Sequence, residues 1–126
     1  SPKVYGLERW KSGEHTYIVE GPIDSMFLPN CLAVAGGDLQ SIKIDKKQCV
    51  LIFDNESRNE HTVKKLMNAI DDGWSVVIWP KEKKFKDIND LVISGLSTDE
   101  ILEMINKTTF KGLEADWAAR DWRNVH

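Results

Sequence analysis

Five acidic residues have the types and the spacing to hold a divalent metal. Glu20 and Asp24 lie four residues apart, Asp54 and Glu56 are separated by one residue, and Asp87 comes later in the chain. Carboxylate oxygens are the ligands that Mg²⁺ prefers in proteins. Several carboxylates in one crevice repel one another, and bound cations relieve that repulsion. Two such ions can activate an attacking hydroxyl and stabilise the leaving oxygen of a phosphoryl displacement.

The acids follow segments that have the composition of buried strands. The segments 16–20, 49–53 and 74–80 are rich in apolar and β-branched residues. Between them, 59–72 has apolar residues at the spacing of one buried helix face. Strands alternating with helices predict an α/β fold, with about four mainly parallel strands flanked by helices on both faces. Because parallel strands end at one edge, where such sheets bind ligands, we expect the acids to converge there.

A local structural role is the alternative for each acid taken singly. An Asp that follows a strand is more often a helix cap or a turn residue than a ligand. This alternative applies to Asp24, Asp54 and Asp87 one by one. Three acidic groups in the same topological position favour a shared site.

Length and composition are those of one ordinary globular domain. The chain has 126 residues, with 17 Lys and Arg against 20 Asp and Glu, for a net charge of −3. It therefore has no overall attraction to nucleic acid or acidic membranes, and any binding of DNA would have to be local. No apolar run approaches the ~20 residues of a membrane span, and the N-terminus lacks the regions of a signal peptide. We expect a soluble cytoplasmic protein with no membrane partner.

The cysteines and histidines do not form a zinc pattern. Cys31 and Cys49 lack CxxC spacing, and the three histidines are scattered. We expect reduced, buried thiols. Because the chain starts on Ser1 rather than Met, we also expect it to be a fragment of a longer protein.

Several motifs together resemble the Toprim domain, which bacterial and phage primases, topoisomerases and some nucleases share. The resemblance spans roughly residues 4–95, and 97–126 would be a helical extension of the same single domain, 1–126. Within that superfamily the chain resembles a primase, through residues 4–7 and the Lys-Asp-x-Asn-Asp motif. The run 54–59 is most similar to primases of T-even-like phages, including cyanophages. The motifs that carry the resemblance are Glu20-Gly21-Pro22-Ile23-Asp24, Gly36-Gly37, Asp54-Asn55-Glu56 and Lys86-Asp87-Ile88-Asn89-Asp90.

The resemblance implies a role for each acid. Glu20 matches the family's invariant glutamate, near the reacting hydroxyl and a candidate for its base. Asp54 and Glu56 match the Asp-x-Asp metal ligands, and Asp24 and Asp87 match additional acids of the site. Glu56 stands where Asp is usual, so its carboxylate reaches one methylene further. A second departure is Asn89, which stands where some bacterial primases carry another acid and weakens the case for a metal on that side.

Phosphate contacts are expected from two basic residues and a glycine pair. Arg58 could hold a nucleoside triphosphate, or could be an exposed residue at a helix start. Lys86 belongs to the basic segment 81–86, which could contact phosphates or be a solvated turn. Gly36 and Gly37 could let backbone N–H groups approach a phosphate.

The tryptophans offer a further choice between binding and packing. Their rings could stack on bases. Trp74 and Trp79 flank a predicted strand, and Trp117 and Trp122 lie on a predicted helix with other apolar residues. We therefore expect packing in the core or an interface.

The resemblance implies the catalytic, metal-binding domain of a DNA primase, a nucleotidyltransferase of DNA replication. Such a domain makes RNA primers on single-stranded DNA: a 3′-hydroxyl attacks the α-phosphate of a ribonucleoside triphosphate, and pyrophosphate leaves. Mg²⁺, with Mn²⁺ as a substitute, would assist both steps, and a replicative helicase would be a partner. A phage-encoded primase would work in the host cytoplasm. The isolated fragment is expected to prime little, because family members carry a zinc-binding domain and a template-binding subdomain upstream.

Two alternatives use the same fold. A Toprim nuclease would use the same acids to cleave DNA, and an upstream ATPase domain would favour it. A non-catalytic Toprim module would serve protein and DNA contacts, and none of its properties would depend on Mg²⁺.

Overall fold

One mixed sheet forms the centre of the molecule. The computed structural model describes residues 4–34, 39 and 43–123, and within these ranges six strands form the sheet. The strands are β1 (Val4–Tyr5), β2 (Thr16–Val19), β3 (Cys31–Val34), β4 (Cys49–Ile52), β5 (Ser75–Val77) and β6 (Thr109–Phe110). Their order is β1-β3-β2-β4-β5-β6, with the four inner strands parallel and both edge strands antiparallel. The predicted α/β fold with four mainly parallel strands is confirmed.

Helices cover both faces of the sheet. They are α1 (Pro22–Ser25), α2 (Glu60–Asp71), α3 (Ile88–Ile93), α4 (Thr98–Lys107) and α5 (Gly112–Arg123). Strand side chains alternate between the faces, so Ile18 packs with α2 and α5 while Tyr17 and Val19 pack with α3 and α4. In the described part of the chain, no helix has the length and apolarity needed to cross a membrane.

Local sequence signals set the ends of the longer helices. The Asn59 side chain caps α2 by accepting hydrogen bonds from the backbone N–H groups of His61 and Thr62. Gly73 follows the end of α2 with φ of +89°, a left-handed conformation that glycine adopts readily because it has no Cβ. Ser97 and Glu100 form a capping box at the start of α4. The starts of α2 and α4 thus follow directly from side-chain chemistry.

Three short elements were not expected from the sequence. Residues 4 and 5 pair with β3 as an edge strand, β6 pairs with β5, and α3 begins directly after Asp87. Elements of two to six residues are too short to show a periodicity of their own. The predicted strand 74–80 is also longer than β5, which pairs with β6 only at Val76 and Val77.

The tryptophans and cysteines largely pack as expected. Trp74, Trp79 and Trp122 are buried, whereas Trp117 is 63% exposed on α5 and so is not part of the core. Both cysteines are free and buried, and burial raises the pKa of the Cys31 thiol to about 12. The interior thus consists of ordinary apolar packing on both faces of the sheet.

Removing side-chain volume beneath the sheet should destabilise the fold strongly. Ile101 of α4 is fully buried, so Ile101→Ala is expected to lower the free energy of unfolding by about 2–5 kcal/mol. Ile93 is 75% exposed, so the matched change Ile93→Ala should stay within about 0.5 kcal/mol. Urea denaturation measures both values, and equal losses would contradict the placement of α4.

Candidate functional site

Three carboxylates from three segments meet beyond the carboxyl ends of the inner strands. Asp24 lies in α1 after β2, Asp54 follows β4, and Asp87 precedes α3. One oxygen of each lies within 4.8 Å of the others. We call these three residues the acidic cluster. The edge position is the one at which parallel sheets bind ligands.

Backbone groups at the start of α3 hold two members of the cluster. Asp24 is 8% exposed, and its Oδ1 accepts a hydrogen bond of 2.9 Å from the backbone N–H of Asn89. Asp87 caps α3 by accepting a 2.9 Å hydrogen bond from the backbone N–H of Asp90. A carboxylate has two oxygens and about four lone-pair sites. Both residues can therefore serve these local bonds and still ligate a cation.

Burial and mutual repulsion make the cluster hard to ionise fully. Burial raises the pKa of Asp54 to about 6, with repulsion from Glu20, Asp87, Asp24 and Glu56 adding to it. Burial also raises the pKa of Asp24, while the hydrogen bond from the Asn89 backbone lowers it in part. A group of negative charges in this state would be neutralised by a cation held on oxygen ligands.

Glu20 and Glu56 lie beside the acidic cluster. Among the described residues, the group of three that could hold a metal does not include them. The Glu20 carboxylate forms an ion pair with the ammonium of Lys65 on α2, and both side chains are about one-quarter exposed. Glu56 Oε2 accepts a 3.4 Å hydrogen bond from Asn59 Nδ2. Both glutamates are close enough to raise the pKa of Asp54. The sequence alone does not indicate a role for Lys65, because only the packing of α2 on the sheet brings it to Glu20.

Asn55 connects the end of β4 to two other segments. Its backbone N–H donates to the Lys86 carbonyl at 2.6 Å, and its Nδ2 donates to the carbonyls of Phe85 (2.9 Å) and Lys83 (3.3 Å). Its Oδ1 accepts a 2.9 Å hydrogen bond from Trp122 Nε1 on α5. Asn55 thus fixes the segment leading to Asp87 and the C-terminal helix to the strand that carries Asp54.

The predicted phosphate-binding residues have different placements. The Lys86 side chain is exposed, and its ammonium is close enough to Asp24 to act against the rise in that residue's pKa. Arg58 is exposed and lies in a groove between α2 and α5. Gly36 and Gly37 lie outside the described residues.

Comparison with known proteins relates the chain to a phage primase. No protein-family model matches the chain. The chain is 38% identical over 117 residues to the DNA primase of Enterobacteria phage T4, an alignment that covers 90% of the chain. This similarity supports a primase-related domain. The domain spans 34% of the length of the phage primase.

Removing the indole N–H of Trp122 should loosen the connection through Asn55. In Trp122→Phe, Asn55 Oδ1 loses its donor, and we expect the free energy of unfolding to fall by about 1–3 kcal/mol. Amide hydrogen exchange of Asn55 should rise at the same time. Trp117→Phe on the exposed face of α5 is the matched control and should change neither quantity. Unchanged exchange at Asn55 in Trp122→Phe would contradict this role.

The raised pKa of Asp54 predicts a pH-dependent cost of folding without divalent cations. Its pKa rises from 3.8 to about 6 on folding, so the stabilisation by the protonated form is lost as pH rises through 6. Asp54→Asn keeps the side chain neutral and should raise the free energy of unfolding by about 1–2 kcal/mol at pH 7.5. At pH 4 the difference should be small.

Urea denaturation in EDTA at the two pH values measures this effect. Asp99→Asn, exposed on α4, is the charge-matched control and should give the same difference at both pH values. A difference for Asp54→Asn that does not change with pH would contradict the raised pKa.

Proposed function

We propose that this primase-related domain is the Toprim catalytic domain of a DNA primase, which makes RNA primers by metal-dependent nucleotidyl transfer. The observation that carries the proposal is the acidic cluster, in which one oxygen each of Asp24, Asp54 and Asp87 lie within 4.8 Å of one another. The 38% identity over 117 residues to a phage DNA primase supports the choice of reaction class. The order of the acidic motifs along parallel strands supports the Toprim assignment.

The donor set suits Mg²⁺ or Mn²⁺. The cluster supplies only carboxylate oxygens, and burial together with repulsion from neighbouring acids raises the pKa of Asp54. Asp24, Asp54 and Asp87 would hold the ion, with Glu56 beside them as a further ligand. When bound, the metal would supply charge stabilisation for the attacking and leaving oxygens.

The protein groups would position the reactants around this cluster. In the proposed reaction a 3′-hydroxyl oxygen forms a bond to the α-phosphorus of a ribonucleoside triphosphate, and the bond to pyrophosphate breaks. Glu20 would accept the hydroxyl proton, while its ion pair with Lys65 orients the carboxylate. Glu20 would also be available as a ligand at the edge of the cluster.

Basic groups near the cluster would hold the phosphates of the triphosphate. Lys86 would contact them from the side of Asp24, and Arg58 from the start of α2. Gly36 and Gly37 would add backbone N–H donors. Single-stranded DNA, ribonucleoside triphosphates and a replicative helicase are the proposed partners of the longer protein, in the cytoplasm.

Metal binding tests the proposal directly. Calorimetry should show Mn²⁺ binding to the wild-type chain, with higher affinity when a nucleoside triphosphate is present. Asp54→Asn and Asp87→Asn should each lower the Mn²⁺ affinity about tenfold or more, because each removes a charged ligand. Glu20→Gln reports whether Glu20 is also a ligand, since an equal loss would place it in the set.

A charge-matched variant serves as the control for this measurement. Asp99→Asn removes the same charge from the exposed surface of α4 and should leave Mn²⁺ affinity unchanged. Wild-type affinity in Asp54→Asn, or no Mn²⁺ binding to the wild type with or without nucleotide, would contradict the proposed site.

A further inference from the structure

A groove between α2 and α5 collects positive charge. It has a volume of about 610 Å³, and its lining includes the exposed side chains of Arg58, Lys64 and Arg123. Glu60 is the acidic residue among the lining residues. We call this feature the cationic groove. Its local excess of positive charge contrasts with the net charge of −3 of the whole chain.

The three cations of the groove are among the basic residues that pair with no acid in the described part of the chain. Lys65, Lys81 and Arg120 each pair with an acid. Across residues 4–34, 39 and 43–123, no such ion pair involves Arg58, Lys64 or Arg123. Their charge is therefore available to an anionic ligand.

The groove adjoins, along the chain, both Glu56 beside the acidic cluster and the buried Trp122 of α5. Ser57 lines it and directly follows Glu56. Arg123 directly follows Trp122, which is 4% exposed and donates its indole hydrogen bond to Asn55. The same hydrogen bond that supports the end of β4 thus holds one side of the groove.

We propose that the cationic groove binds the phosphate groups of a nucleic acid strand that leads to the acidic cluster. Lys64 in the second turn of α2 and Arg123 at the end of α5 come from separate elements, as suits successive phosphates along a strand, while Arg58, just before α2, is assigned above to the triphosphate. The half-buried Met67 adds apolar contact area between them. The inference rests on the proposed function for the identity of the ligand, and it requires no metal.

The basic segment 81–86 is the competing surface for the same ligand. Lys81 pairs with Asp121, and Glu82 lies within the segment. The backbone of this segment is held by Asn55 through the carbonyls of Lys83, Phe85 and Lys86. Its remaining charge faces solvent, so it serves as the comparison in the test.

Fluorescence anisotropy with a labelled single-stranded oligodeoxynucleotide of about 12 nucleotides tests the groove. Lys64→Gln and Arg123→Gln should each weaken binding by the whole chain about threefold to tenfold. Each should also lower the slope of log affinity against log salt by about 0.7, because one phosphate contact is lost. Arg120→Gln, on the same helix but paired with Asp116, is the matched control and should change neither value.

Two results would overturn the proposal. One is wild-type affinity and salt slope in both groove variants; the other is loss of binding only in Lys83→Gln and Lys84→Gln, which would assign the strand to segment 81–86. A parallel titration with inorganic tripolyphosphate distinguishes the phosphate source. If the groove variants bind tripolyphosphate more weakly but bind the oligonucleotide as the wild type does, the ligand of the groove is a nucleotide and not a strand. All titrations contain EDTA, so their failure is separate from a failure of Mn²⁺ binding.

Discussion

The hydrogen bonds of Asn55 are the constraint on which the arrangement of the site depends. The cluster draws its acids from segments far apart in the chain, and their charges oppose the assembly. Asn55 joins β4 to the segment before Asp87 and to Trp122 of α5. Because its amide serves both a donor and an acceptor role, a single side chain fixes two segments against that repulsion.

The apolar core offsets the cost of collecting these charges. Both faces of the sheet are covered by helices, and strand residues such as Leu32 and Val76 are fully buried. Buried area of this kind is the main favourable term in folding. The fold can therefore hold a destabilising group of carboxylates at the sheet edge. There the carboxylates are available to bind a cation, alone or together with an anionic ligand.

Helix α2 separates two opposite electrostatic environments. Successive residues on a helix point about 100° apart. Lys65 consequently pairs with Glu20 beside the acidic cluster, while its neighbour Lys64 lines the cationic groove. One helix thus orients an acid near the proposed reaction centre and presents a cation to the proposed strand, so the two surfaces cannot move independently.

The sequence by itself determined the α/β class and the parallel inner strands, because strand composition and the helix caps at Asn59 and Ser97 are local signals. It also predicted that Asp24, Asp54 and Asp87 converge, because parallel strands end at one edge of the sheet. The edge strands and α3 escaped prediction because they are too short to carry a period. Only the tertiary structure decided that Lys65 pairs with Glu20 and that Trp122 bonds to Asn55. These contacts join residues 45 and 67 positions apart, and no local pattern encodes a distance that packing alone closes.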